Sequence, residues 1–375
     1  MPKQSTTVRA RVWLEIRLLA IRQNFIRIRR TVKPAQVMAV LKADAYGLGA
    51  LPVAEVLADA GVDRFGVAEL KEALALRRRF QQPVHILSGL LEREIPDAVK
   101  SGLICPIPDW LTATRLSQEA KRRRKNVKVH IKIDTGMGRL GIPYFEAHAL
   151  VPRILRLPGL EVEGIFSHFA DANHPEHGKS REQLNLFRGL LADMETLGHR
   201  FPCVHMANSD GINNFKDSYF NMVRTGINLY GVFDLLGHHA YTLSPSLSLK
   251  STLLSRRLLP AGFTIGYGST HTLFRDTWVG TLPAGYADGV PLAASNSGYV
   301  LIRGKPCPII GRVSMDYLTV DLGACPGAKV GDEVVLVGRS GQREFTIEDW
   351  ARIKQTHPYE IICSLGRRVE RVHLK

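Results

Sequence analysis

The chain has 375 residues, 45% of them hydrophobic, and its 50 lysines and arginines outnumber 35 aspartates and glutamates, for a net charge of +15. This length exceeds what one compact core usually accommodates and predicts two domains. No run approaches the roughly 18 consecutive apolar residues of a membrane span, and the basic, polar N-terminus lacks the apolar segment of a signal peptide, so we expect a cytoplasmic protein with no membrane partner.

Short apolar strands alternate with amphipathic helices through the first two thirds of the chain. We predict eight strands, at 36–42, 63–68, 84–89, 103–107, 127–133, 160–168, 203–208 and 221–226. Continuous apolar strands separated by helices are typical of a parallel sheet covered by helices. Eight such strands in about 230 residues favour a (β/α)8 barrel, expected over residues 1–243, with a doubly wound open sheet as the alternative.

After residue 243 the pattern changes to strands that alternate apolar and polar residues between glycine and proline turns. This alternation predicts a mostly β domain over residues 244–375. The stretch RVWLEI, at 11–16, alternates in the same way and is a candidate extra strand of this second domain.

Three basic clusters, at 27–30, 77–79 and 121–125, each close a predicted helix. Cations in the last helical turn complement the helix dipole and remain solvated. Because no helix-turn-helix, zinc-finger or aromatic RNA-binding motif accompanies them, we expect a solvated surface and no nucleic-acid partner.

Polar residues recur where the predicted strands end, which is where a barrel gathers its functional groups. Lys42 ends the first strand and His168 the sixth, Asn208 and Ser209 follow the seventh, and Arg224 lies in the eighth. A lysine at the mouth of an apolar cage loses hydration, so its neutral amine becomes able to form a Schiff base. The alternative for Lys42 is a surface lysine with a solvated head.

Small residues near these strand ends indicate an anion site. Tyr46 offers a hydrogen-bond donor shortly after the first strand. Ser209, Gly226 and the backbone of Ile227 follow the last two strands, where barrels often bind phosphate. An amine that can react with an aldehyde, next to a phosphate site, fits pyridoxal 5′-phosphate.

The loop after the fifth strand matches a dinucleotide-binding pattern. Gly136, Gly138 and Gly141 fit GxGxxG, with Glu161 about 20 residues further on, so a nicotinamide-dependent enzyme is an alternative. Against it, the pattern is weak alone and follows the fifth strand of a series. Arg139, on the same loop, is suited to bind an anionic oxygen.

Successive motifs of the chain resemble those of alanine racemases. They are VLKADAYGLG, HIKIDTGMGRLG, NSDG, RTGINLYG, GYGST, LPAGYADG, GRVSMDYLTVDL and HPYEIICSLGRRVERV, and the match runs from about residue 10 to 372. The resemblance implies a pyridoxal 5′-phosphate-dependent isomerase that interconverts L-alanine and D-alanine, as a homodimer with shared active sites.

The resemblance also implies roles for individual residues. Lys42 matches the lysine that binds the cofactor covalently and acts as one base, and Tyr267 matches the tyrosine that acts as the opposite base in the site of the partner subunit. Lys132 matches a lysine that is often carbamylated. The other matched cofactor contacts are Tyr46, Arg139, His168, Asn208, Ser209, Arg224, Gly226, Ile227 and Tyr359, and the matched substrate contacts are Arg139, Met315, Asp316 and Tyr286.

Three related readings stay open at this point: a broader amino-acid racemase, a decarboxylase of similar design, and a non-enzymatic pyridoxal 5′-phosphate carrier, which lacks the second domain. The chain departs from the family pattern at Val290, Leu292 and Asn173, near the expected substrate entrance. Residues 174–177 read HPEH, which resembles a metal-binding pair. Because no further ligand accompanies that pair, we expect surface residues and no metal.

Overall fold

The computed structural model of the protein describes residues 10–375, so the polar N-terminus and the start of the expected barrel range, at 1–9, lie outside it. The described chain forms two units, one of residues 20–244 and one of residues 245–375 together with 10–19. Strand β1 (Val12–Arg17) and helix α1 (Leu18–Val32) come first. None of the described helices is both long and apolar enough to cross a lipid bilayer.

The unit of residues 20–244 alternates strands and helices. Its strands are β2 (Gln36–Val40), β3 (Arg64–Val67), β4 (Val84–Ile86), β5 (Cys105–Ile107), β6 (Val127–Asp134), β7 (Ile142–Pro143), β8 (Leu160–Phe166), β9 (Cys203–His205) and β10 (Met222–Thr225). The helices after α1 are α2 (Lys42–Gly47), α3 (Ala50–Asp59), α4 (Leu70–Arg77), α5 (Ile95–Lys100), α6 (Trp110–Arg123), α7 (Tyr144–Leu155), α8 (Lys179–Thr196) and α9 (Ser209–Asn214).

These strands form a parallel barrel. Their order is β4-β3-β2-β10-β9-β8-β6-β5, with the short β7 beside β6. A parallel bridge between His85 and Ile104 joins β4 to the segment that enters β5. There, Ile86 N–H donates to the carbonyl of Ile104 at 3.1 Å, and Ile104 N–H donates to that of Val84 at 3.0 Å. The ring is therefore closed, and the predicted (β/α)8 barrel is confirmed.

Helix α6 shows how local sequence sets an element's ends. Asp109 accepts a hydrogen bond from the N–H of Thr112 at 2.6 Å and so caps the first turn. The last turn carries Lys121, Arg122 and Arg123, and the helix ends at Arg124 in the left-handed conformation. The basic cluster therefore lies where cations complement the helix dipole.

The second unit is mostly β. Its strands after β1 are β11 (Leu247–Thr252), β12 (Ser255–Leu259), β13 (Thr264–Ile265), β14 (His271–Thr272), β15 (Thr277–Leu282), β16 (Tyr299–Ile302), β17 (Lys305–Pro308), β18 (Leu318–Asp321), β19 (Glu333–Ser340), β20 (Arg343–Phe345) and β21 (Glu370–Leu374). Its helices are α10 (Ile347–Lys354) and α11 (Pro358–Cys363).

Three sheets organise this unit. The largest has the order β17-β16-β19-β11-β1-β21, with β20 beside β19, and the others are β12-β15-β18 and the hairpin β13-β14. Strand β11 alternates buried and half-buried residues, as expected of a sheet with one face on the core. Strand β1 pairs with β11 and with β21, so it is a strand of this unit.

Candidate functional site

Lys42 opens a strained turn at the end of the first barrel strand. The four residues that follow it, 43–46, are all left-handed, with φ between 53° and 62°. Each non-glycine residue in this conformation costs about 1–2 kcal/mol. The Asp44 carboxylate accepts from the N–H of Ala50 at 2.7 Å, and its carbonyl accepts from Gly49 N–H at 2.9 Å, so Asp44 ties the turn to the start of α3. Strain of this kind concentrates at functional sites.

The expected apolar cage around Lys42 is wrong for the single chain. Leu41 is fully buried, but Lys42, the next residue, is exposed. The left-handed turn explains this difference, because it turns the backbone away from the strand direction immediately after the barrel core ends.

Three of the residues predicted to bind phosphate lie together at this rim. A Cβ atom on Gly226 would lie only 2.3 Å from the hydroxyl oxygen of Tyr46, so glycine is required for this close approach. The Gly226 N–H donates to Oγ of Ser209 at 3.0 Å. The Tyr46 ring packs edge-on against Tyr230, with centroids 5.4 Å apart. The buried Ile227 begins the turn that follows.

Asn208, another predicted cofactor contact, stabilises the start of a helix. Its side-chain oxygen accepts from the N–H of Gly211 at 2.8 Å and caps α9. The cap starts the helix at Ser209, whose hydroxyl contacts Gly226. Asn208 therefore supports the predicted anion site through Ser209.

Positive charge is concentrated around His168. Burial lowers the pKa of His168 well below its ordinary value, and four cations lower it further, namely Arg224, Arg139, Lys132 and Lys42. The same positive charges act on Lys132. Burial lowers the pKa of Lys132, Arg224 and Arg139 lower it further, and the resulting pKa is about 8. This excess of cations fits a ligand with several negative charges.

A chain of hydrogen bonds runs through the barrel interior from Arg224. Its NH1 donates to Nδ1 of His205 at 2.5 Å, so the proton of His205 is on Nε2, which lies 2.9 Å from Nδ1 of His130. His130 in turn donates through Nε2 to Glu163 at 3.1 Å, and Arg64 donates to the same carboxylate at 2.7 Å. Each bond determines the tautomer of the next imidazole.

The charged groups of this hydrogen-bond chain lie at its two ends. Burial lowers the pKa of His205 and of His130, so both are neutral at pH 7. The hydrogen bond from His130, together with Arg64, holds the pKa of the Glu163 carboxyl well below its usual range. Burial lowers the pKa of Arg224 to about 9, which leaves it charged at neutral pH.

Arg224 also orients His168. Its NH2 lies 3.1 Å from Nδ1 of His168 and 2.8 Å from the carbonyls of Ser167 and Met206. Because a guanidinium only donates, Nδ1 of His168 accepts and the imidazole proton is on Nε2. His168 thus presents an N–H donor on the side away from Arg224.

The glycine-rich loop after β6 wraps around Asp134. The N–H groups of residues 136–139 point at its carboxylate, with distances of 2.8 Å for Gly136 and 3.2 Å for Arg139. Burial raises the pKa of Asp134, but these four donors outweigh burial, and the pKa lies below its ordinary value. The N–H groups that would bind the pyrophosphate of a dinucleotide already donate to Asp134. This excludes the nicotinamide-dependent alternative.

Replacing Asp134 with alanine is expected to release this loop. Four N–H groups lose a shared charged acceptor, and since only that of Met137 is part-buried and the others can bind water, the free energy of unfolding should fall by about 1–2 kcal/mol. Urea denaturation of Asp134→Ala measures the change, with Asp59→Ala, at an exposed position of α3, as the control. Equal stabilities of the two variants would show that the carboxylate does not hold the loop.

Tyr267 lies at the tip of the β13-β14 hairpin. Its side chain is 72% exposed, and Gly266 and Gly268 beside it have positive φ. A Cβ on Gly311 would lie 2.8 Å from the carbonyl oxygen of Ile265, so the hairpin packs backbone against backbone on its own unit. The phenol is thus presented on a well-supported turn and points outward.

Two predicted substrate contacts of the second unit are neighbours. Tyr286 N–H donates to the Ser314 carbonyl at 3.0 Å, next to Met315. Arg368 binds the buried Asp288 at 2.7 Å and Asp316 at 2.6 Å, and so ties the two loops together.

The remaining predicted positions of this unit have different exposures. Tyr359, on α11, is half-buried, and Leu292 is 46% exposed. Val290 is 1% exposed in the single chain.

The chain of hydrogen bonds inside the barrel was not predicted from the sequence, although the strands contain a pattern that indicates it. Strands β4, β6, β8 and β9 each carry a histidine or glutamate next to apolar residues, at His85, His130, Glu163 and His205. Residues of parallel strands that point inward meet in the barrel interior. Polar positions in such strands are therefore candidates for one buried network.

Comparisons with known proteins agree with this geometry. The family model described as alanine racemase, N-terminal domain, matches residues 16–234, and the alanine racemase C-terminal domain matches residues 246–373. An alanine racemase of Symbiobacterium thermophilum is 38% identical over 363 residues, which cover 96% of each chain.

Solved structures are similar over almost the whole chain. Alanine racemase from Streptomyces coelicolor has a TM-score of 0.91 at 34% identity and covers 97% of this chain and 98% of its own. Alanine racemase from Bartonella henselae, with covalently bound pyridoxal phosphate, has a TM-score of 0.88 at 33% identity and covers 98% of this chain and 100% of its own.

Proposed function

Because this chain belongs to the alanine racemase family and interconverts L-alanine and D-alanine, we propose that it does so with pyridoxal 5′-phosphate held at the barrel rim, and with Lys42 and Tyr267 as its two bases. The observation that carries this proposal is the group of cations around His168. A phosphate, a phenolic oxygen and a substrate carboxylate together supply the negative charge that such a group favours.

The residues present fit the cofactor. We assign its phosphate to Tyr46, Ser209, Gly226, Ile227 and Tyr359, because the first three already lie in contact, at a close approach that only glycine allows. Lys42 is assigned the covalent link, as the one lysine at the end of β2.

The other end of the cofactor is assigned to the two arginines. Arg139 would bind the phenolic oxygen and the carboxylate of alanine, since a guanidinium is a strong donor to oxyanions. Arg224 would face the ring nitrogen with its Nε–H, which takes no part in the bonds to His205, His168, Ser167 and Met206. When bound, pyridoxal 5′-phosphate supplies the electron sink that makes the α-proton of alanine acidic.

The protein then has to move one proton. Racemisation needs a base on each face of the α-carbon, one to remove the proton and one to return it. The amine of Lys42 serves one face and the phenol of Tyr267 the other. We assign the Nε2–H of His168 to the phenol oxygen, because Nδ1 is already engaged by Arg224. Met315 and Asp316, next to Tyr286, are assigned to the substrate side.

Lys132 is suited to carbamylation. Its pKa of about 8 means that a sizeable fraction of its amine is neutral near pH 7.5, and only a neutral amine adds CO2. A carbamate would replace the ammonium group of Lys132, which lies among other cations, by an anion that pairs with Arg139. We therefore propose that Lys132 is carbamylated.

The amount of carbamate on Lys132 is expected to depend on pH. It should increase from about pH 6 to about pH 8 as the amine loses its proton, and level off above the pKa of about 8. Carbon-13 NMR in labelled bicarbonate measures it. The signal should vanish in Lys132→Met and persist in Lys128→Met, an ion-paired lysine of the same strand. A signal that persists in Lys132→Met would assign the carbamate elsewhere.

We propose that the chain forms a homodimer. Four large apolar side chains on either side of Tyr267 in the sequence are exposed, Leu254, Leu258, Phe263 and Phe274, with Phe274 at 94% and Leu258 at 53%. Such a patch indicates a protein interface. We propose that a second copy of the chain covers it and accepts Tyr267 into its own site.

Mixing two inactive variants tests the shared site. Subunit exchange between Lys42→Ala and Tyr267→Phe produces hybrids in which one site has both bases. Random pairing should restore about a quarter of wild-type activity, because half the dimers are hybrids with one intact site each. The assay is racemase activity before and after exchange. An unchanged, inactive mixture whose hybrids are demonstrated by mass would mean that each site uses one subunit.

The overall proposal is tested by incubating purified protein with single L-amino acids and separating the products on a chiral column. Alanine should racemise, and serine, lysine and arginine should do so far more slowly if the broader-racemase reading is wrong. Borohydride should bleach the protein and stop turnover, since it reduces a lysine-bound cofactor. Turnover that survives complete bleaching would refute the role of the cofactor.

A further inference from the structure

The loop between β8 and α8 gathers a carboxylate and two imidazoles. Asp171 lies between them, with Oδ1 2.6 Å from Nδ1 of His174 and Oδ2 2.9 Å from Nδ1 of His177. The two rings are parallel within 6° and their centroids are 4.5 Å apart. The HPEH pair therefore has the third group that the linear sequence did not reveal.

The backbone explains this convergence. Residues 175–177 form a 3₁₀ turn, in which side chains three residues apart eclipse each other. The N–H of His174 donates to the carbonyl of Asp171 at 3.3 Å, and that of His177 to the carbonyl of His174 at 3.2 Å. The three side chains thus follow the period of the turn.

The loop is anchored to the barrel on both sides of Asp171. Ala170 N–H donates to the buried Gln183 at 2.9 Å, and Asn214 donates to the carbonyl of Ala172 at 2.8 Å. A ligand that binds here would meet groups whose backbone is already ordered.

We propose that Asp171, His174 and His177 form a binding site for a divalent transition-metal ion of the zinc type. One potential ligand atom from each residue lies within 4.8 Å of the others. Zinc binds imidazole nitrogen and carboxylate oxygen at about 2.0–2.2 Å, so its ligand atoms are about 3.0–3.5 Å apart, and small side-chain rotations suffice. This proposal is independent of the racemase activity.

Charge and access favour this site. Asp171 and His174 are each 27% exposed at the side chain and His177 is 54% exposed, so an ion and its water ligands can reach them. The carboxylate of Glu176 lies 3.6 Å from Nε2 of His177 and adds negative charge. By contrast, the buried histidines of the barrel are bonded to Arg224 and Arg64, whose charges oppose a cation.

Zinc titration of the holoenzyme against a chromophoric chelator tests the proposal. A Cys363→Ser background removes the exposed thiol from competition. We expect one equivalent of Zn²⁺ to bind, and His177→Gln and Asp171→Asn each to weaken it at least tenfold. His148→Gln is the matched control, because His148 forms an exposed pair with Asp193 at 2.7 Å without a third ligand group among residues 10–375, and it should bind like the parent.

Cobalt spectroscopy supplies a second measurement. Co²⁺ at this site should show weak visible bands without the near-ultraviolet absorption of a thiolate ligand, and His177→Gln should lose those bands while keeping its circular dichroism. The proposal is overturned if the parent binds no zinc, if both loop variants bind as well as the parent, or if the cobalt spectrum shows thiolate ligation.

Discussion

Replacing Lys42 with alanine is expected to remove both the yellow colour of the bound cofactor and racemase turnover. In the proposed site, this substitution deletes the amine that would hold the cofactor and one of the two proton carriers, so activity should fall by at least about 10³-fold. Visible absorbance and chiral product analysis measure the two losses separately.

The control for this experiment is Lys121→Ala, at an exposed position of α6. It removes the same charge from a helix that carries none of the predicted site residues and should keep colour and activity. Lys42 itself is not one of the left-handed residues, so alanine adds no backbone strain there. A yellow, active Lys42→Ala protein would require another lysine to hold the cofactor, and the assignment of the barrel rim would fail.

Replacing Tyr267 with phenylalanine should separate colour from turnover. The ring stays in place at the hairpin tip, and in the proposed site the cofactor would remain bound through Lys42, so the absorbance should be unchanged. Loss of the phenol removes one proton carrier and should lower the rate of racemisation by about 10²–10⁴-fold. Product analysis in both directions measures the loss.

Exchange with deuterated solvent shows whether Tyr267 is a base or a positioning residue. With Lys42 intact, one enantiomer of alanine should still exchange its α-proton and the other should not. Equal slowing of exchange for both enantiomers would point to positioning. Tyr144→Phe, a partly exposed tyrosine of α7, should exchange and racemise normally.

Much of the fold followed from local pattern. All eight predicted barrel strands are present, because apolar β-branched runs between amphipathic helices bury both faces of a parallel sheet. The strand ends were less accurate. The sixth strand was expected to reach His168 but ends at Phe166, since the chain there turns into a loop whose carbonyl at His168 is bound by Gln183.

The candidate site was only partly visible in the sequence. Lys42, Arg224 and Tyr267 stand in motifs, and motifs are local. The exposure of Lys42 in the single chain was not expected, because nothing in the residues 43–46 predicts four consecutive left-handed conformations, which L-residues avoid. The glycine pattern after β6 was ambiguous until the structure showed its N–H groups around Asp134.

The sequence by itself determined the two-unit architecture, the barrel and the residue types available for chemistry, because periodicity and motif spacing act over short stretches of chain. Only the tertiary structure decided how Arg224, His205, His130 and Glu163 form one chain of hydrogen bonds, and which nitrogen of each imidazole carries the proton. The physical reason is that these side chains lie on different strands, and their separations, burial and shared charge exist only after the barrel has closed.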